Sequence, residues 1–253
     1  MTGDRDVQDI VDAPWRSAIY AIVPHPEDAR ILLFPSGNSY SLPHIEVVEE
    51  ILVNDIGRVT ALVRTLFGAD LLAYRSASFS VDRRAHCVSG VFVVEPLPTR
   101  ECAAVGGIWA DGSALATLPL VPEDHRDVIR SYLAEVAHDH VPDQRPPWAR
   151  PGWFREAEAW ILAELASLAY AVTAPVEQVR SWAISCVLRV HTTAGTIYFK
   201  AAANLPLCTD EPALLDGLSR LFPAHIPAPL RVDHQRHWML THDWGAPVGW
   251  DAP

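Results

Sequence analysis

The stretch that most limits the fold of this chain is SCVLRVHTTAGTIYFK, which runs from Ser185 to Lys200. Its two halves are rich in β-branched and aromatic residues, which favour strands. The residues between them form a short polar turn that ends in Gly195, a residue available for a positive φ. The pattern therefore predicts a β-hairpin. Alternation along its second strand places Phe199 on one face of the sheet and Tyr198 with Lys200 on the other.

Lys200 is the only lysine in the 253 residues, and arginine makes up the rest of the 20 lysine and arginine side chains. A lysine ammonium is a compact point charge, whereas an arginine guanidinium is a planar fork, so the two do not replace each other where a short strand presents a cation to a phosphate. The single lysine therefore suggests a contact with a nucleotide phosphate. A solvated charge at the end of a strand is the alternative.

The composition limits the partners of the chain. With 49% hydrophobic residues we expect a globular protein. A net charge of −11 and an isoelectric point near 5.4 argue against nucleic acids and acidic membranes as partners, because both attract basic surfaces. No secretory signal and no membrane-spanning stretch is recognisable. We therefore expect a cytoplasmic protein with reduced, mostly buried thiols at Cys87, Cys102, Cys186 and Cys208.

A proline-rich stretch, VPDQRPPWARPG, occupies residues 141–152 and has the composition of a linker between domains. We therefore expect two domains of the α+β class, over residues 1–145 and 146–253. In the first, apolar runs and periodicity predict strands over 17–23, 30–34, 71–77 and 87–94, the first two as a hairpin, with helices inside 46–67 and over 124–137.

The first half resembles a Nudix domain. The resemblance depends on the order of these elements, on Tyr40-Ser41-Leu42-Pro43, on a helix that ends at Gly68, and on Ile108-Trp109 followed by residues 118–123. It implies an α/β/α sandwich. In that family the helix carries R-E-x-x-E-E-x-G, whose glutamates bind a divalent metal.

Counted back from Gly68, the glutamate positions hold Leu62, Thr65 and Leu66, and the arginine position holds Ala61. These side chains cannot supply the hard carboxylate oxygens that Mg²⁺ prefers. We therefore expect a degenerate Nudix-like domain with a packing, binding or regulatory role. A residual hydrolase is the weaker alternative.

The second half continues the hairpin with a helix that begins near Glu211 and with a second hairpin over 230–242. A lysine that positions phosphates needs a carboxylate to hold its flexible ammonium in place. Glu211 is placed to supply that carboxylate. The alternative is that Glu211 is simply a negative charge that favours the N-terminus of its helix.

This half resembles the N-terminal lobe of the aminoglycoside phosphotransferase family, which has a kinase-like fold. The motifs that carry the resemblance are residues 185–190, 195–200, 211–215, 227–229 and 238–240. The resemblance implies that Lys200 contacts the α- and β-phosphates of ATP and that Glu211 pairs with it. It also implies that Ser185 and the loop between Val179 and Val187 cover the phosphates, and that a hinge contacts adenine, with the residues Leu240, Thr241 and His242.

The second lobe of that family carries H-x-D-x-x-x-x-N, and this pattern is missing. His242-Asp243 is followed by Val248 where the asparagine would stand. We therefore expect no catalytic residue and no metal ligand in this chain, Mg²⁺ only together with a second lobe, and an unnamed small-molecule acceptor. The chain is expected to be part of a longer enzyme or a nucleotide-facing lobe alone, with weak ATP affinity. The alternative is a non-catalytic module that binds a ligand or a protein.

Overall fold

The computed structural model describes residues 13–68, 70–96, 106–138, 141–203 and 210–245. The chain divides into two compact units, Met1–Pro151 and Gly152–Pro253. Twelve strands and five α-helices lie within the described residues, and the predicted α+β class is confirmed.

The first unit contains two sheets. Its strands are β1 (Arg16–Ile22), β2 (Ile31–Ser36), β3 (Ser39–Ser41), β4 (His44–Val47), β5 (Leu71–Asp82), β6 (Cys87–Pro96) and β7 (Ile108–Ala110), and its α-helices are α1 (Ile56–Phe67), α2 (Gly112–Leu115) and α3 (His125–Ala137). One sheet has the order β4-β1-β6-β5, with β1 and β6 parallel, and the other has the order β3-β2-β7.

The predicted hairpin of the first two strands forms only next to its turn, where the N–H of Leu32 bonds to the carbonyl of Val23 at 3.0 Å and the N–H of His25 to that of Arg30 at 2.8 Å. β1 and β2 lie in different sheets, joined by an antiparallel bridge between Pro24 and Ile31. Both edges of β1 are already occupied, one by β4 and the other by β6. The apolar runs correctly indicated two buried strands. They carried no information on the pairing partner, because a strand buried on both faces shows no alternation.

The four-stranded sheet has a helix on each face. Ile19 and Ala21 of β1 pack in one hydrophobic cluster with α1, whereas Tyr20 and Ile22 pack in another with α3. β6 divides in the same way, because Phe92 belongs to the α1 cluster and its neighbours in sequence to the α3 cluster. Alternate side chains of the two central strands thus build two cores on opposite faces.

Helix α1 occupies only the second part of the range that was expected to contain it. The first part forms β4 and a turn, and the helix begins after Asp55. It ends as predicted at Gly68, which has φ 58° and whose N–H bonds to the carbonyl of Arg64 at 2.8 Å. Glycine suits this left-handed position because it has no Cβ.

The residues just before the unit boundary pack on the first unit. Arg145 forms an ion pair with Glu135 of α3 at 2.6 Å, and Trp148, in a 3₁₀ turn over Pro147–Ala149, is buried. These contacts explain why the boundary lies after Pro151 and not between residues 145 and 146. The proline-rich composition indicated an irregular segment but not the side on which it packs.

The second unit is one antiparallel sheet with two helices. Its strands are β8 (Glu177–Ser181), β9 (Ser185–Thr192), β10 (Gly195–Ala202), β11 (Arg231–Asp233) and β12 (Trp238–His242), in the order β11-β12-β10-β9-β8, and its helices are α4 (Trp153–Ser167) and α5 (Glu211–Leu221). Both predicted hairpins are confirmed. Gly195 has φ 103° at the β9–β10 turn, as expected from its position.

An aromatic cluster fixes β10 and β12 in the core of this unit. Phe199 is fully buried, with ring centroids 5.4 Å from Trp238, 5.8 Å from Trp160 and 6.1 Å from Trp153. Two of these tryptophans, Trp153 and Trp160, belong to α4. The Phe199 face of β10 is therefore covered by α4, and the side chains of Tyr198 and Lys200 lie on the opposite face.

The thiols differ from expectation in one case. Cys186 is buried, and burial raises its pKa to about 12, but Cys87 at the start of β6 is exposed. Cys102 and Cys208 lie outside the described residues. Among the described helices, none is long and apolar enough to cross a bilayer.

Candidate functional site

Lys200 lies on the central strand of the second unit. In β10 it is opposite Val187 of β9 on one side and Met239 of β12 on the other. Its side chain is 29% exposed. A central strand fixes the backbone from both edges, so the stem of this lysine starts from a rigid point.

Glu211 meets Lys200 from the N-terminus of α5. Lys200 Nζ donates a hydrogen bond to Glu211 Oε1 at 2.6 Å. The helix begins there because the side chain of Asp210 accepts the N–H of Ala213 at 3.2 Å and Pro212 occupies the first turn, where its missing N–H has no cost. Because the two side chains remain 29% and 46% exposed, the ion pair adds little stability, typically about 0 to 1 kcal/mol. Its effect is to orient the ammonium.

Further charges continue along the same face of the sheet. Arg189, opposite Tyr198, donates to Glu177 Oε2 from Nε at 2.8 Å and from the terminal guanidinium at 2.6 Å. The hydrogen bond to Glu177 raises the pKa of Arg189. His191 Nε2 lies 3.9 Å from the same carboxylate. Charged side chains of both signs therefore lie on this face, with Arg189 and Lys200 each paired to a glutamate.

The structure corrects the expected phosphate loop. Most of the stretch between Val179 and Val187 is strand, because Arg180 pairs with Val187 and Ser181 pairs with Cys186. Only residues 182–184 form a loop. Ser185 lies opposite Ala202 on the Lys200 side of the sheet and is 9% exposed, and its carbonyl accepts the N–H of Trp182 at 2.9 Å. The exposed side chains of this short loop are Trp182 and Ile184.

The expected hinge residues lie on β12 and just after it. Leu240 and Thr241 are buried, and His242 is exposed. The carbonyl of Leu240 accepts the N–H of Leu230 at 2.7 Å, and the N–H of Asp243 bonds to the carbonyl of Thr196 at 3.2 Å. Two backbone groups of the expected hinge are thus already bonded within the unit.

A groove that the sequence did not reveal lies in the first unit. It has a volume of about 560 Å³ and is lined by side chains of β4, β1 and β6 and by Val48, which follows β4. Tyr20 stacks on His44 at 5.0 Å and meets His125 edge-on at 4.4 Å. Burial raises the pKa of Tyr20 and lowers that of His125. Ala18 is a small residue between Arg16 and Tyr20 on one face of β1, but one alanine in a strand does not by itself indicate a groove.

The positions of α1 that would correspond to the metal-binding glutamates of a Nudix domain carry no carboxylate. Leu62 is buried in the core beside α1, while Ala61 and Thr65 are exposed, with the Thr65 hydroxyl bonded to the Ala61 carbonyl at 3.0 Å. Within the described ranges, no three histidine, cysteine, aspartate or glutamate side chains approach closely enough to hold a metal ion.

Comparison with known proteins gives low similarity. No family model matches the chain, and no curated protein matches it. Solved structures that align include a candidate oxidoreductase from Sinorhizobium meliloti 1021 (16% identity, TM-score 0.35, 53% of this chain and 44% of that one). The E. coli ORF135 protein aligns at 14% identity and TM-score 0.36, over 52% of this chain and 98% of that one.

An ADP-ribose pyrophosphatase from Streptococcus suis 89-1591 aligns at 16% identity and TM-score 0.35, over 50% of this chain and 96% of that one. The chain thus spans less than half the length of the Sinorhizobium protein and nearly all of the other two. At these TM-scores the likenesses identify neither a family nor an activity for this chain.

Proposed function

We propose that the second unit is the nucleotide-binding part of an ATP-dependent small-molecule phosphotransferase, with Lys200 as the residue that contacts the nucleotide phosphates. The observation that carries the proposal is the 2.6 Å ion pair between Lys200 and Glu211. The carboxylate of Glu211 holds the flexible ammonium of Lys200, the only lysine of the chain, in one position. A phosphate oxygen that reaches this position can bond to the ammonium beside Glu211 or in its place.

Binding and positioning are all that this proposal assigns to the unit. Phosphoryl transfer also needs a group that orients the acceptor and a set of oxygen ligands for Mg²⁺. No residue of this chain is proposed for either role, and the unit is proposed to be inactive alone. ATP affinity should therefore be weak, because a single sheet leaves the adenine and the phosphates largely in water.

Replacing Lys200 with alanine is expected to weaken ATP binding about tenfold or more, because a charge-assisted hydrogen bond to a phosphate contributes roughly 1.5 to 3 kcal/mol. Calorimetric titration of the full chain with ATP measures the loss. Lys200→Arg should also bind more weakly, because the planar guanidinium does not fit the geometry of an ammonium. Binding of adenosine, which has no phosphate, should be the same in all variants.

Arg220→Ala is the matched control for the loss of one positive charge. Arg220 lies on α5 with a 74% exposed side chain, paired with Asp216. This variant should bind ATP as the wild type does. Equal ATP affinity of the wild type and Lys200→Ala would overturn the phosphate assignment, and so would an equal loss in Arg220→Ala, since that result would point to net charge alone.

The groove of the first unit favours a second candidate function, a module that binds a small ligand without cleaving it. The groove has a volume of about 560 Å³ and is lined by polar and apolar side chains, among them Tyr20, Glu46 and Val88. Helix α1 contains no aspartate or glutamate that could bind a metal for cleavage, and its Leu62 is part of the core. A nucleoside diphosphate derivative is the ligand class that this proposal would test first.

We expect no Mg²⁺-dependent hydrolysis of ADP-ribose by the full chain, because Leu62, Thr65 and Leu66 offer no carboxylate for the metal. The measurement is release of AMP with Mg²⁺ present and after chelation. Turnover that chelation abolishes would contradict the proposal. Ala18→Phe, which fills the groove, then tests binding: ADP-ribose bound by the wild type should be lost in this variant.

A further inference from the structure

His237 joins the β11–β12 hairpin to the start of α5. It is the last residue of the turn and has φ 56°, in the left-handed region. A side chain with a Cβ costs roughly 1 kcal/mol there, and glycine is the residue that usually avoids this cost. The backbone is held in place because the N–H of Ala202 bonds to the His237 carbonyl at 3.0 Å.

The imidazole of His237 contacts the residue that caps α5. His237 Nδ1 lies 2.9 Å from Asp210 Oδ2, while the other oxygen of Asp210 accepts the N–H of Ala213 at 3.2 Å. The angles of the Nδ1 contact do not suit a hydrogen bond. Its attraction is therefore mainly Coulombic and is complete only when the imidazole is protonated.

These contacts connect His237 to both segments that carry the candidate site. Ala202 follows Lys200 by two residues on β10, and Asp210 immediately precedes Glu211 on α5. We propose that His237 is a positioning residue: through Asp210 it holds the N-terminus of α5 so that Glu211 reaches Lys200, and deprotonation of His237 loosens this arrangement. The effect of this arrangement on ATP binding rests on the function proposed above for Lys200.

Other charged groups near the turn have partners of their own. His234 Nε2 lies 3.6 Å from Asp216, and Arg236 pairs with Asp233 at 2.8 Å and with Glu156 of α4 at 3.2 Å. Glu211, the remaining acidic group at the start of α5, is bonded to Lys200. Among the described residues, Asp210 is thus the carboxylate that contacts His237, whose side chain is 21% exposed.

The single lysine makes this proposal measurable without a nucleotide. A chain labelled with ¹³C,¹⁵N-lysine gives one lysine side-chain signal, that of Lys200. In the wild type this signal should move in one step as the imidazole of His237 loses its proton. The step should vanish in His237→Gln. It should also vanish in Asp210→Ser, which keeps a capping oxygen but removes the carboxylate.

His234→Gln is the control, because it removes a histidine from the same turn that pairs with a different carboxylate. Its step should match that of the wild type. A wild-type signal without a step, or an unchanged step in His237→Gln, would overturn the proposal. If the step depends on His237 but ATP does not bind at any pH, the positioning role stands and the nucleotide function fails, so the two failures are distinguishable.

Discussion

Phe199→Ala is expected to destabilise the second unit by about 3 to 5 kcal/mol, enough to unfold a unit of ordinary stability. Phe199 has no exposed surface and contacts three tryptophan rings. Alanine would leave a cavity in the middle of this cluster, and the rings of α4 and β12 cannot close it without leaving their own contacts. The change acts on the strand that carries Lys200 but on its opposite face.

Urea unfolding followed by hydrogen exchange at the β9 and β10 amides isolates the effect on this unit. Phe222→Ala is the matched control, because it removes the same side chain at a position that is 50% exposed. It should change the free energy of unfolding by only about 0.5 kcal/mol, as is usual for exposed sites. Similar losses in the two variants would show that the aromatic cluster does not stabilise β10.

The hairpin around Lys200 could be predicted from the sequence because it depends only on residues within the hairpin itself. Alternating β-formers set the faces of β10, and Gly195 supplied the positive φ of the turn. The partner of Lys200 was also predictable, because a capping aspartate and an early proline mark where α5 begins. The contact with Glu211 therefore depends on two short segments with clear signals.

The features that the sequence could not predict depend on contacts between distant segments. β1 and β2 are close in sequence, yet β1 pairs with β6 in parallel, some 70 residues later. The position of His237 was also hidden, since neither its positive φ nor its contact with Asp210 has a local signature. The groove beside Tyr20 likewise forms only when β4, β1 and β6 are side by side.

Glu135→Gln is expected to destabilise the first unit by about 2 to 4 kcal/mol, because breaking a buried ion pair leaves uncompensated charge in the interior. Glu135 binds two guanidinium groups, Arg75 at 2.7 Å and Arg145 at 2.6 Å, and the three side chains are only 11 to 21% exposed. Because these side chains keep some contact with water, we expect a smaller loss of unfolding free energy than for a fully buried ion pair.

The same change should release the segment before the unit boundary. Arg145 attaches residues 141–151 to α3, and the amides of Arg145, Ala149 and Arg150 donate to proline carbonyls within that segment. In Glu135→Gln, hydrogen exchange of these three amides should become faster by a larger factor than exchange of the protected amides in the rest of the first unit. Glu123→Gln is the control, because Glu123 pairs with Arg126 from a 70% exposed side chain, where an ion pair contributes about 0 to 1 kcal/mol. If exchange in residues 141–151 stays as slow as in the wild type, then Trp148 and the 3₁₀ turn hold the segment without the ion pair.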